Sequence, residues 1–134
     1  MRSDWMKRLP YVVHTNLELG LMLRGTKPLA MFVEEYERTP DCLCRYLRMF
    51  DRHAESGRFV KGEHPVAAFG NRFRYIFYAL PTEAWRIERM IRLKELPGPW
   101  SAEREREEGH LLGYEGWMSD IWIDRHAMKT PNDA

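Results

Sequence analysis

The sequence predicts an α+β domain: a small antiparallel sheet of three or four strands covered by four or five helices. Three observations carry this expectation. Strand-like alternation is concentrated in Arg72 to Leu80, where Phe73, Tyr75 and Phe77 fall on one face and Arg74, Ile76 and Tyr78 on the other. Apolar residues three and four apart run through Leu43, Tyr46, Leu47, Phe50 and Ala54, the mark of one buried helix face. Connections are short, so successive strands pair antiparallel, and a sheet this small needs helices across it. The 134 residues fit a single domain, 1–134, with 1–15 irregular and a frayed tail at 128–134.

Each further element has its own signal. Leu17 to Leu23 alternates like a strand but is rich in Leu, Met and Glu and has no β-branched residue, so a short helix is expected, with Asn16 as its cap and Gly25 ending it left-handed. Leu29 to Tyr36 reads as a strand, and its nearly unbroken apolar run through Val33 suggests burial on both faces. Thr39-Pro40-Asp41 signals a helix start with Thr39 as the capping hydroxyl, and Gly57 closes that helix. Arg58 to Glu63 is expected to be a strand and His64 to Asn71 a loop containing Pro65 and Gly70. Thr82 is the expected N-cap of a helix with an apolar stripe at Ala84, Ile87 and Ile91, stopped by Pro97-Gly98-Pro99. Ser101 caps a charged stretch, Glu103 to Glu108, that reads as a solvated face docked by Leu111 and Leu112. Gly113 and Gly116 bracket a turn before Trp117, Met118, Ile121, Trp122 and Arg125 at helical spacing.

Composition excludes several classes of protein. With 21 basic and 20 acidic residues the net charge is +1, so no bulk field draws the chain to nucleic acid or anionic membrane. No uncharged apolar run approaches the roughly 20 residues that span a bilayer, and Arg2, Asp4, Lys7 and Arg8 break up any signal-peptide core. The two cysteines, Cys42 and Cys44, stand too close to bridge, read as free thiols with a small-hydrophobe role, and point to a reducing cytoplasm. The distinctive quantity is aromatic content, 13% with five tryptophans, concentrated in Phe73–Trp85 and Tyr114–Trp122. If those two segments pack together they form the core; if a gap separates them, the gap is a pocket.

Motifs that specify a reaction are missing: there is no Walker loop, dinucleotide-binding glycine pattern, H-E-x-x-H or G-x-S-x-G. Cys42-x-Cys44 lacks zinc-knuckle spacing, and no metal or cofactor is expected. Asp51-Arg52-His53-Ala54 recurs as Asp124-Arg125-His126-Ala127, read as basic residues meeting the negative end of two helices. Candidate acid–base groups are Glu63, His64, His110 and Asp124, with Glu63-His64 foremost because that pair enters a loop. Candidate partner-binding residues are Arg74, Tyr75, Trp85, Arg86, Trp117 and Trp122, with Trp117 and Trp122 about 140° apart round a helix. Arg72 to Tyr78 interleaves basic and aromatic residues and resembles an RNA-recognition strand, without that motif's glycines.

Three functions follow in order of weight. The first is a binding or regulatory module acting through a protein surface, with a homodimer as one form of it. The second is a small acid–base enzyme with an aromatic-lined pocket for a small organic or anionic substrate. The third, single-stranded nucleic-acid binding on the 72–92 face, has the balanced charge against it. Gly25-Thr26-Lys27-Pro28-Leu29-Ala30 and Leu111-Leu112-Gly113-Tyr114 stand out as motif-like without pointing to an activity.

Overall fold

In a computed structural model of the chain, residues 4–36, 38–68 and 70–126 are described. The order is α1 (Asp4–Lys7), α2 (Glu18–Leu23), β1 (Leu29–Glu35), α3 (Asp41–Glu55), β2 (Val60–Ala68), β3 (Asn71–Ala79), a 3-10 turn (Pro81–Glu83), α4 (Trp85–Glu95), α5 (Ala102–Leu112) and α6 (Gly116–Arg125). The fold is α+β: one antiparallel sheet in the order β1-β3-β2, with helices packed against it. Among the described residues both strand pairings run through β3, the strand with the clearest alternation, because it is the central one.

Both faces of the sheet are covered. On one, Ala30, Ile76 and Tyr78 pack with Met22 of α2, Leu47 and Phe50 of α3, and Phe59. Phe50 is the hub of this layer, with ring centroids 4.7 Å from Tyr78, 5.1 Å from Tyr46, 5.2 Å from Phe32 and 5.7 Å from Phe59. Such aromatic pairs add about 0.5–1.5 kcal/mol each beyond the area they bury. On the other face Leu29, Phe77 and Ala79 meet Met90 and Leu93 of α4 and Leu111 of α5. α6 lies outside this layer, packed on α5.

Polar groups that enter the core do so with partners. Tyr78 is fully buried, and its hydroxyl donates to Asp51 Oδ1 at 2.6 Å, which Lys61 also meets at 2.8 Å. Burial and then the Asp51 carboxylate push the Tyr78 phenol far above its ordinary value. The Tyr46 hydroxyl accepts from the Leu19 amide at 3.0 Å and donates to Glu18 at 3.1 Å, tying α2 to α3. Its phenol is pushed up to about 12, chiefly by burial.

Several sequence expectations are corrected. β1 is not buried on both faces throughout: Leu29 and Ala30 are, but Val33 is 48% exposed, because β1 is an edge strand. β2 continues through His64 and Pro65 to Ala68, where a loop was expected from His64, and β3 begins at Asn71. Proline is tolerated there because β2 is the other edge. Asn16 does not cap α2; it takes a left-handed φ of 69° ahead of it. The Thr39 hydroxyl turns back to the Glu35 carbonyl, and Pro40 occupies the N-cap of α3. Thr82 falls inside the 3-10 turn, and Ala84 precedes α4. The N-terminal stretch expected to be irregular contains α1, and the frayed tail at 128–134 lies outside the described residues. Ser101 does cap α5, accepting from the Arg104 amide. Cys42 is exposed rather than buried, and both thiols are free.

Gly113 ends α5 with φ +98°, and a Cβ there would stand 2.6 Å from Pro28 Cδ. Gly25 ends α2 with φ +77°, and a Cβ there would meet nothing within 4 Å. Gly25→Ala is therefore expected to cost about 1–2 kcal/mol of left-handed strain, and Gly113→Ala a further ~1–3 kcal/mol of overpacking. Denaturant unfolding of the two variants side by side checks this; equal losses would mean that the Pro28 contact is not a constraint.

Candidate functional site

The two motif-like segments meet. Left-handed Gly25 reverses the chain so that the amides of Thr26 and Lys27 both donate to the Leu21 carbonyl, at 3.0 and 3.3 Å. Left-handed Gly113 does the same for α5, with the Tyr114 amide donating to the Gly109 carbonyl at 2.8 Å. Gly113 abuts Pro28, and Lys27 turns inward until only 2% of it is exposed. The Lys27 ammonium nitrogen donates to the Leu112 carbonyl at 2.6 Å and contacts His14 Nδ1 at 2.8 Å. The His14 ring stacks on Tyr114 at 3.9 Å between centroids, 11° from parallel, and the His14 amide donates to the Tyr114 hydroxyl at 2.8 Å.

This arrangement perturbs both bases. Burial, only partly offset by Glu18, pulls Lys27 down to about 7. Burial and then the neighbouring Lys27 charge pull His14 down to about 4. At neutral pH His14 is thus uncharged, and its Nδ1 can accept from the Lys27 ammonium in the tautomer that carries the proton on Nε2.

The clamp fixes the segment that precedes it. Residues 8–15 have no strand or regular helix, yet Val13 is buried and the Arg8 carbonyl accepts from Arg125 of α6 at 2.8 Å. Between this segment, α1, α5 and α6 lies a hollow of about 250 Å³, lined by Trp5, Tyr11, Val13, Thr15, Glu105, Glu108, Gly109, Leu112, Tyr114, Met118, Ser119 and Trp122. Trp5 and Trp122 stand 5.9 Å apart. Tyr11 meets Tyr114 and Trp117 edge-on, at 6.1 and 5.9 Å. α5 and α6 approach closely here because residue 109 is glycine; a Cβ would collide with Ser119 Oγ.

Two carboxylates complete the lining. Glu105 accepts from the Trp100 indole N–H at 2.5 Å, while Glu108 forms a largely buried ion pair with Lys94 of α4. Burial raises the Tyr11 phenol above its ordinary value, with Arg125 opposing and Glu105 adding to the rise.

The four acid–base candidates do not converge. Glu63 pairs with Arg74 at 2.9 Å on the α3 side of the sheet, and His64, one residue on, meets Glu95 at 3.1 Å on the opposite face. His110 is exposed on α5, and Asp124 is exposed near the end of α6. The basic residues of the 72–92 face are engaged: Arg74 with Glu34 and Glu63, Arg86 with Glu83, Arg89 with Glu107 and Arg92 with Glu88. Arg86 also donates to the His110 and Leu111 carbonyls, binding α4 to the end of α5. Tyr75 packs against the second core layer with Lys94 over its ring at 5.7 Å. Trp85 and Trp117 are 51% and 47% exposed, whereas Trp122 belongs to the hollow.

Sequence reasoning missed Lys27, His14, Trp5, Tyr11, Glu105, Glu108 and Tyr114 as site residues. A lysine heading the apolar run from Leu29 was the available signal for the clamp; no local pattern marks Trp5 or Tyr11. Among the described residues no group of three or more His, Cys, Asp or Glu could hold a metal ion, and no helix is long and apolar enough to cross a membrane. No known protein family, curated protein or solved structure matches this chain.

The clamp has a pH signature. A base whose folded pKa lies below its unfolded value costs stability while protonated, and the cost fades as pH rises from the folded to the unfolded value. For Lys27 that window runs from about 7 to its ordinary 10.5. The stability lost on Lys27→Met is therefore expected to grow from pH 7 to pH 9, by up to roughly 1.4 kcal/mol per pH unit. Denaturant unfolding of both proteins across that range reads it out; a constant difference would mean that Lys27 titrates normally in the fold.

Proposed function

We propose that this chain is a small-molecule-binding module and that its ligand seats in the hollow between residues 5–15, α5 and α6. The observation that supports this is a hollow of about 250 Å³ on which Trp, Tyr, Leu and Met side chains from three parts of the chain converge with two carboxylates and two hydroxyl residues. Apolar walls with a few placed polar groups are the usual character of a ligand site, and this volume lies just below the common ~300–1,000 Å³ range, which favours a compact ligand. The free thiols suit a reducing compartment, and we place the module in the cytoplasm.

Benzyl alcohol, a neutral aromatic probe, is expected to shift the indole N–H resonances of Trp5 and Trp122 and to leave that of Trp85 in place. Thr15 is exposed and lines the hollow, so Thr15→Trp should fill the space and abolish those shifts without unfolding the protein. Shifts scattered over the surface, or unchanged in Thr15→Trp, would refute the assignment.

A second reading, a protein partner or a second copy of the chain held through surface aromatics, is favoured by the exposure of Trp85 and Trp117. It calls for a mass that rises with concentration in size-exclusion chromatography with light scattering. A constant monomer mass removes the self-association form.

A further inference from the structure

Resting on the reading of the hollow as a ligand pocket, we infer that it takes a small alkylammonium cation. The charge of the lining argues first. Glu105 and Glu108 are part of it, one turn apart on α5, and among the described residues no Lys, Arg or His is. Glu108 is met by Lys94, which lies outside the lining, whereas Glu105 is bonded to the uncharged indole N–H of Trp100. Arg125, close enough to act on Tyr11, is also outside the lining and donates to the Arg8 carbonyl. An anion would enter against two carboxylates in an apolar recess; a neutral guest would leave Glu105 without a counter-charge.

The rings argue second. The face of an indole or phenol attracts a cation within about 6 Å of its centroid. Lys27 already stands over the Tyr114 ring at 5.6 Å and His126 stacks on one face of Trp122 at 3.8 Å, so Trp5, Tyr11 and the other face of Trp122 are left to a ligand. A quaternary alkylammonium head suits such walls because its charge is spread over C–H groups that pack on rings and ask for no hydrogen bonds. The volume admits a head of a few carbons with a short tail, and the Ser119 and Thr15 hydroxyls offer the tail a hydrogen bond.

Three molecules of one shape separate charge from size: choline, neutral 3,3-dimethylbutan-1-ol and anionic 3,3-dimethylbutanoate. Each is titrated into the full chain at pH 7.5, following the indole N–H resonances of Trp5 and Trp122. Choline is expected to bind about tenfold tighter than the alcohol, and the carboxylate more weakly than either. Glu105→Gln should remove most of the preference for choline and keep the affinity for the alcohol; Trp5→Leu, which keeps an apolar wall, should also lower it. Thermal melts confirm that both variants fold. If the alcohol binds the unaltered protein as tightly as choline, or if neither substitution reduces the preference, the cation inference is overturned and the pocket reading stands. If none of the three binds, both fall.

Discussion

The fold turns on one buried amine. Lys27 sits between the end of α2 and the start of β1, and its nitrogen bonds two parts of the chain that sequence order keeps far apart: His14, before α2, and the Leu112 carbonyl, at the end of α5. A lysine left unpaired in such a place would be severely destabilising. Here desolvation is answered by two hydrogen-bond partners and by a shift of the amine toward its neutral form. The Leu112 carbonyl gains as well, since the last carbonyls of a helix lack partners within it. One contact thus settles a donor, an acceptor and the docking of an irregular segment.

That contact is possible because two helices end in the same way. α2 and α5 each close with a left-handed glycine that folds the following amides back onto the last turn. At α2 the reversal delivers Lys27; at α5 it delivers Tyr114. The reversals lie against each other, Gly113 on Pro28, so Lys27 and Tyr114 reach His14 from two sides. A side chain on residue 113 would push these reversals apart, and the loss would be felt in the hollow before it was felt in the sheet.

What could be read from the sequence follows the range of the interactions involved. β3 was legible because alternation is local and its central place buries both faces: Ile76 and Tyr78 face α3 while Phe77 and Ala79 face α4 and α5. Ser101 was legible because capping acts over three residues. The extent of β2 was not, because Pro65 is a loop signal unless the strand is known to lie at an edge. The site was least legible of all. Tyr11 meets Tyr114 and Trp117, and Trp5 meets Trp122, across about a hundred residues, and no spacing rule reaches that far. Glu105 and Glu108 read as solvated because the charged run around them is, yet Glu108 and Lys94 are largely buried together. The two motif-like segments were visible, but their meaning lay in their contact.

The aromatic content divides along the same line. Phe32, Tyr46, Phe50, Phe59 and Tyr78 close on one another over one sheet face and spend their area on stability. Trp5, Tyr11, Tyr114 and Trp122 form a second group that does not close, and its incompleteness is the hollow. The Tyr114–Trp122 segment takes its partners from residues 5–15. The pocket wall is therefore the least regular stretch of the described chain, held by Lys27, His14 and the Arg125–Arg8 bond rather than by a hydrogen-bonded ladder. Segments held by few contacts open at lower free energy than the core does. A guest bridging α5 and residues 5–15 would add contacts to a segment that no ladder holds, so its binding energy and the docking of this segment must rise and fall together.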